Sequence, residues 1–163
     1  MIDYITPVID ESVRDLCYRP YYNHPKGCPN HGERDTCPPK AVLLPDYFDM
    51  SKPILAVWVA FNLGMHRAKM KAKHPSWSRR QCENSRHWQN SVLARLRREV
   101  KCNLRRSSLF EGTNSLVATY VPEAMGVNVT ETMKSVGLIL EWPPIEIVCK
   151  IAFVGSLAER NKR

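Results

Sequence analysis

Eight of the chain's 12 prolines fall within its first 53 residues: Pro7, Pro20, Pro25, Pro29, Pro38, Pro39, Pro45 and Pro53. Each one fixes φ and removes a backbone donor, so the segment cannot run as a regular helix or as a central strand. It is an irregular loop ordered by something other than a hydrogen-bonded ladder, or it is disordered. Cys17, His24, Cys28, His31 and Cys37 lie in the same stretch. A bound inorganic centre is one way to order such a loop.

The 163 residues predict a single domain, 1–163, with a Cys/Pro-rich lobe over 1–50. An α+β body follows over 51–163, with a basic helix over 76–106. No apolar run approaches the roughly 20 residues of a membrane-spanning helix. The opening Met-Ile-Asp-Tyr-Ile lacks the basic-then-apolar layout of a secretory signal. The expectation is a cytoplasmic protein with no membrane partner. In that compartment thiols stay reduced, so six cysteines point to metal binding, catalysis or burial rather than to disulfides.

Residues 54–63, Ile-Leu-Ala-Val-Trp-Val-Ala-Phe-Asn-Leu, read as a buried strand, although Ile54, Trp58, Phe61 and Met65 also carry helical spacing. Gly64 punctuates, and Met65–Lys73 predicts a helix ended by His74-Pro75. Ser78-Arg-Arg-Gln81 has the form of a capping box and predicts a long helix to about Lys101. Trp88, Val92, Leu96 and Val100 form its apolar stripe. Asn128-Val-Thr-Glu131 predicts a second helix start, closed by Gly137, and Ile145–Val154 reads as a strand. The expected architecture is α+β: a small mixed sheet packed with about three helices, plus the irregular metal-binding lobe.

Thiolates select zinc, copper(I) or iron–sulfur clusters over hard ions. Zinc knuckles set their cysteines two to four residues apart. Here ten residues separate Cys17 from Cys28 and eight separate Cys28 from Cys37, loops long enough to wrap a larger object. Proline follows both Cys28 and Cys37, as it follows the last cysteine of the bacterial ferredoxin run. Gly27 and Gly32 leave room for backbone N–H groups to approach cluster sulfurs. The expected cofactor is one iron–sulfur cluster, of 4Fe–4S type, on Cys17, Cys28 and Cys37; zinc is the alternative, completed by His24 or His31. Cys82, at a helix start, is a further candidate for the fourth position, while Cys149 reads as core and Cys102 as chance.

Several segments together resemble a family: His24-Pro-Lys-Gly-Cys-Pro-Asn30, Cys37-Pro-Pro39, His74-Pro-Ser-Trp-Ser78, Trp88-Gln89, Pro122-Glu-Ala-Met-Gly-Val-Asn-Val129 and Leu140-Glu-Trp-Pro-Pro144. They are similar to small bacterial and phage proteins described as predicted metal-binding, akin to a cysteine-rich domain of unknown function thought to hold iron–sulfur clusters. The resemblance covers most of residues 17–144 and implies metal binding without a definite reaction. Larger relatives carry extra cysteines before the second box, where Thr113–Tyr120 has none. That departure argues against a second cluster and a ferredoxin-like relay.

The net charge of +8 is unevenly placed. Arg67 to Arg106 holds thirteen Lys or Arg against Glu83 and Glu99, whereas the rest of the chain has eleven bases and fourteen acids. Such a localised field, with Trp77, His87 and Trp88 nearby, has the composition of a phosphate-binding surface. It has equally the composition of a solvated helix face. Arg95, Arg97, Arg98, Lys101, Arg105 and Arg106 are the contact candidates; Trp88 belongs to the apolar stripe. No nucleotide-binding glycine loop, zinc-protease helix or serine-hydrolase elbow is present. Two functions are therefore expected: an iron–sulfur protein with a redox partner, in electron transfer or sulfur-related chemistry, or a zinc-stabilised nucleic-acid-binding or accessory protein using the basic helix. Whether the chain is an enzyme stays open at this stage.

Overall fold

In a computed structural model of the chain, residues 1–20, 24–111 and 116–159 are described, the side chains of 106–111 excepted. The elements run β1 (Ile2–Ile5), α1 (Leu44–Tyr47), β2 (Ile54–Asn62), α2 (Leu63–Lys73), α3 (Arg79–Cys82), α4 (Gln89–Glu111), β3 (Leu116–Thr119), α5 (Val129–Lys134) and β4 (Ile147–Ser156). Three 3-10 turns add Glu11–Cys17, Ser85–His87 and Pro122–Met125. The fold is α+β.

The sheet is antiparallel throughout, not mixed, in the order β1-β2-β4-β3. Eight register pairs join β2 to β4, from Leu55 opposite Val154 to Asn62 opposite Ile147. Both strands are central, so both faces need cover, and side chains alternate between two cores. Ile54, Ala56, Trp58 and Phe153 face Leu44 and Phe48 around α1, and Val129 and Met133 of α5. Val57, Val59, Ala152 and Val154 face Trp88, Val92, Leu96 and Val100 along α4. Burial on both sides explains why Ile54–Phe61 reads as an unbroken apolar run.

Three sequence expectations change. The Ser78 capping box forms in full, with the Ser78 and Gln81 side chains each bonding the other's backbone, but it opens only the single turn of α3. The chain then breaks at Glu83 and restarts as α4 after the Ser85–His87 turn. Gly64 does not punctuate; it lies inside α2, where the Glu146 carboxylate fills the space a Cβ would take. β1 and β3 were not foreseen. The Asn128 cap on Glu131 N–H and the left-handed Gly137 both form as expected.

The lobe is not a separate body. β1 belongs to the sheet and α1 to the core, and the described residues between them hold the 3-10 turn Glu11–Cys17 and irregular loops. That stretch is sewn to the body by Asp10 N–H on the Gly126 carbonyl and Asn128 N–H on the Val8 carbonyl, both 2.8 Å.

Candidate metal centre in the N-terminal lobe

Asp10 caps the turn Glu11–Cys17 by accepting from Ser12 N–H, which places Cys17 at the turn's end. The following loop folds back so that Cys28 N–H donates to the Cys17 carbonyl at 2.8 Å. His31 N–H then donates to the Cys28 carbonyl at 3.1 Å, and the Cys37 thiol donates to the Asn30 carbonyl at 3.1 Å. Arg14 ties down the turn after Cys37, its guanidinium donating to the Pro39 and Ala41 carbonyls at 3.1 and 2.9 Å. Pro38 is buried and Pro29 exposed.

Two glycines permit the reversal, both at positive φ: Gly27 at 78° and Gly32 at 75°. A Cβ at Gly27 would stand 2.8 Å from the Tyr18 carbonyl, whereas one at Gly32 meets nothing within 4 Å. Left-handed backbone costs a β-carbon residue about 1–2 kcal/mol. Gly32→Ala is therefore expected to cost about 1 kcal/mol, and Gly27→Ala at least twice that because the Tyr18 backbone must also move. Urea unfolding of the two variants measures the difference; equal costs would show that the Tyr18 contact is unimportant.

All three cysteines are half-buried and free of disulfides. Burial pushes the Cys17 thiol up, and the charges of Cys28 and Cys37 push it further, with Glu123 adding and Arg14 opposing. Both other sulfurs therefore lie near enough to bear on Cys17. Among the described residues, no three His, Cys, Asp or Glu side chains gather tightly enough to hold a single metal ion. Three thiols are soft donors and suit a thiophilic centre in chemical type.

His24 supplies its backbone carbonyl to the turn, accepting from Gly27 N–H at 3.1 Å. His31 lies edge-on to Tyr18, ring centroids 5.8 Å apart, in an open cleft of about 500 Å³ with Arg14 and Asp15. Cys82 is buried on the helical side, close to His66. Cys149 packs against the core on β4, and Cys102 is exposed on α4. None of these three is among the groups acting on Cys17.

No protein-family model, curated protein or solved structure matches the chain.

In the sequence Glu123 reads as one of three isolated carboxylates, with Glu131 and Glu141, that could serve an acid–base role but are more often surface or cap residues. Lys150 carries no signal there. Glu123 keeps an exposed surface yet stands in dense surroundings, and desolvation raises its carboxyl; its own backbone N–H and Lys150 oppose this. Burial lowers Lys150 in turn, with Glu123 opposing. The 3-10 turn Pro122–Met125, docked against Glu11–Cys17, brings Glu123 near Cys17. A turn of four residues has no periodicity to betray it.

The basic candidates Arg95, Arg97, Arg98, Lys101 and Arg105 are exposed on α4. The Arg106 side chain lies outside the described residues. Trp88 is buried, stacked on Phe61 at 4.8 Å. Trp77 lies between His74, at 4.0 Å, and His87, at 5.5 Å, in a column of parallel rings.

Proposed function

We propose that this chain is an iron–sulfur protein holding one 4Fe–4S cluster on Cys17, Cys28 and Cys37, in electron transfer or sulfur-related chemistry. The supporting observation is that Cys17 stands at the end of a capped turn, where Cys28 N–H donates to its carbonyl at 2.8 Å and the Cys28 and Cys37 sulfurs both bear on its thiol. The wide spacing of the three cysteines, with ten and eight residues between them, favours a cluster over a single zinc ion. The resemblance of the Cys28-Pro-Asn30 and Cys37-Pro-Pro39 segments to predicted metal-binding proteins points the same way.

The cluster supplies one-electron chemistry when bound. This chain's residues supply its surroundings. Arg14 sets a positive charge beside Cys17, which offsets part of the repulsion among the thiolates. The backbone turns at Gly27 and Gly32 hold the loop in place around them. Three cysteines leave a fourth position for His24 or an exchangeable ligand.

Protein expressed and purified without air is expected to be brown, with iron and acid-labile sulfide in near-equal amounts. A colourless product with stoichiometric zinc, or with no metal, overturns this reading.

A further inference from the structure

We propose that the outward face of α4 binds nucleic acid through its phosphate backbone. Residues of a helix advance by about 100° each, so the side opposite the buried stripe of Trp88, Val92, Leu96 and Val100 is fixed. That side carries Arg95, Arg97, Arg98, Lys101 and Arg105, every one exposed. Between them lie Asn90, Ala94 and Cys102, so the outward arc has no carboxylate and no large apolar side chain. Glu99 sits half-buried at the margin. Among the described residues, no ion pair uses Arg95, Arg97, Arg98 or Lys101. Arg97 instead lies over the Tyr120 ring, 5.9 Å from its centroid.

This pattern selects among partners. A membrane-surface helix presents Trp, Phe or Leu on its free face, and α4 has turned all of its large described apolar residues to the sheet. A protein interface needs an apolar or aromatic anchor at its centre, which the arc lacks. A nucleic-acid interface needs neither, because phosphate contacts supply its affinity. The cations span about 15 Å of helix axis, and arginine predominates, whose planar fork matches phosphate oxygens. Phosphate contacts carry no sequence information, so binding in this mode is sequence-independent.

The test is fluorescence anisotropy with a short labelled DNA duplex and a single-stranded RNA across a salt series. Four phosphate contacts give a log–log slope of about −3 to −4, so affinity falls on the order of 10²-fold between about 50 and 200 mM salt. Arg95→Ala, Arg98→Ala and Lys101→Ala should each reduce the slope by about one. The wild-type slope requires no variant to fold, and circular dichroism checks the variants. A nearly flat salt response, binding retained in the triple alanine variant, or tighter binding of poly-glutamate than of either nucleic acid overturns the proposal; the last reassigns the face to an acidic protein. Metal content does not enter the readout, so this inference and the iron–sulfur reading fail separately.

Discussion

Serine at Cys17, Cys28 or Cys37, introduced singly, is expected to reduce iron and sulfide in anaerobically prepared protein to background. Serine at Cys82, Cys102 or Cys149 is expected to leave both unchanged. The division follows from placement: Cys28 and Cys37 both bear on the Cys17 thiol, while the others are buried beside His66, exposed on α4, or packed on β4. A thiolate-to-alkoxide change removes the soft donor on which thiophilic metals depend. Cys82→Ser and Cys149→Ser alter packed sites, so each needs a thermal melt beside its iron assay. Iron loss from Cys82→Ser at unchanged melting temperature would make Cys82 the fourth ligand. Retention of iron in all three lobe variants would end the assignment.

The same cluster of thiols sets a pH dependence. Burial, and then the neighbouring sulfur charges, hold the Cys17 proton more tightly than in a free thiol. Metal uptake must displace that proton, so loading of apoprotein weakens as pH falls. A soft cation among the sulfurs would replace repulsion by attraction. Arg14 already does a small part of this, since its charge favours the Cys17 thiolate while its donors clamp Pro39 and Ala41.

What could be read from the chain followed the periodicity of burial. The stripe Trp88, Val92, Leu96, Val100 was visible because all four residues meet the sheet. Ile54–Phe61 was visible because β2 is covered on both faces. β1 and β3 were invisible for the opposite reason: each is a four-residue edge strand whose place depends on a partner distant in sequence. Three of the four β1 residues are exposed, so no alternation marks it. The cysteines were recognisable by type, but what brings them together is a set of turns in which Gly27 packs on the Tyr18 backbone, a contact no spacing rule contains. Glu123 enters the neighbourhood of Cys17 from more than a hundred residues away. Gly64 misled because a small residue in a helix reads as a stop, while here it makes room for Glu146.

Glu83→Ala is expected to destabilise the protein by about 2–3 kcal/mol, lowering the melting temperature by roughly 4–12 °C. The Glu83 side chain is 2% exposed, and one of its oxygens accepts from both Arg67 and Arg79 at 2.7 Å. Its backbone carbonyl accepts from the Trp88 indole at 3.2 Å. One residue therefore joins α2, α3 and the start of α4, which is why the helix predicted from Ser78 breaks there. Removing a buried partner leaves charge without compensation, commonly at about 3–5 kcal/mol. The lower figure applies because Arg67 retains Glu146 at 2.9 Å and the Ile145 carbonyl, and Arg79 is 54% exposed and can turn to water. Glu83→Gln keeps an acceptor and should lose about half as much, while Arg79→Ala, an exposed partner, should cost below about 1 kcal/mol. Chemical denaturation of the three variants gives the ranking Ala, Gln, then Arg79→Ala. A Glu83→Ala variant within about 0.5 kcal/mol of the parent, the ordinary range of a surface substitution, would show that apolar packing of α4 alone holds the helices in place.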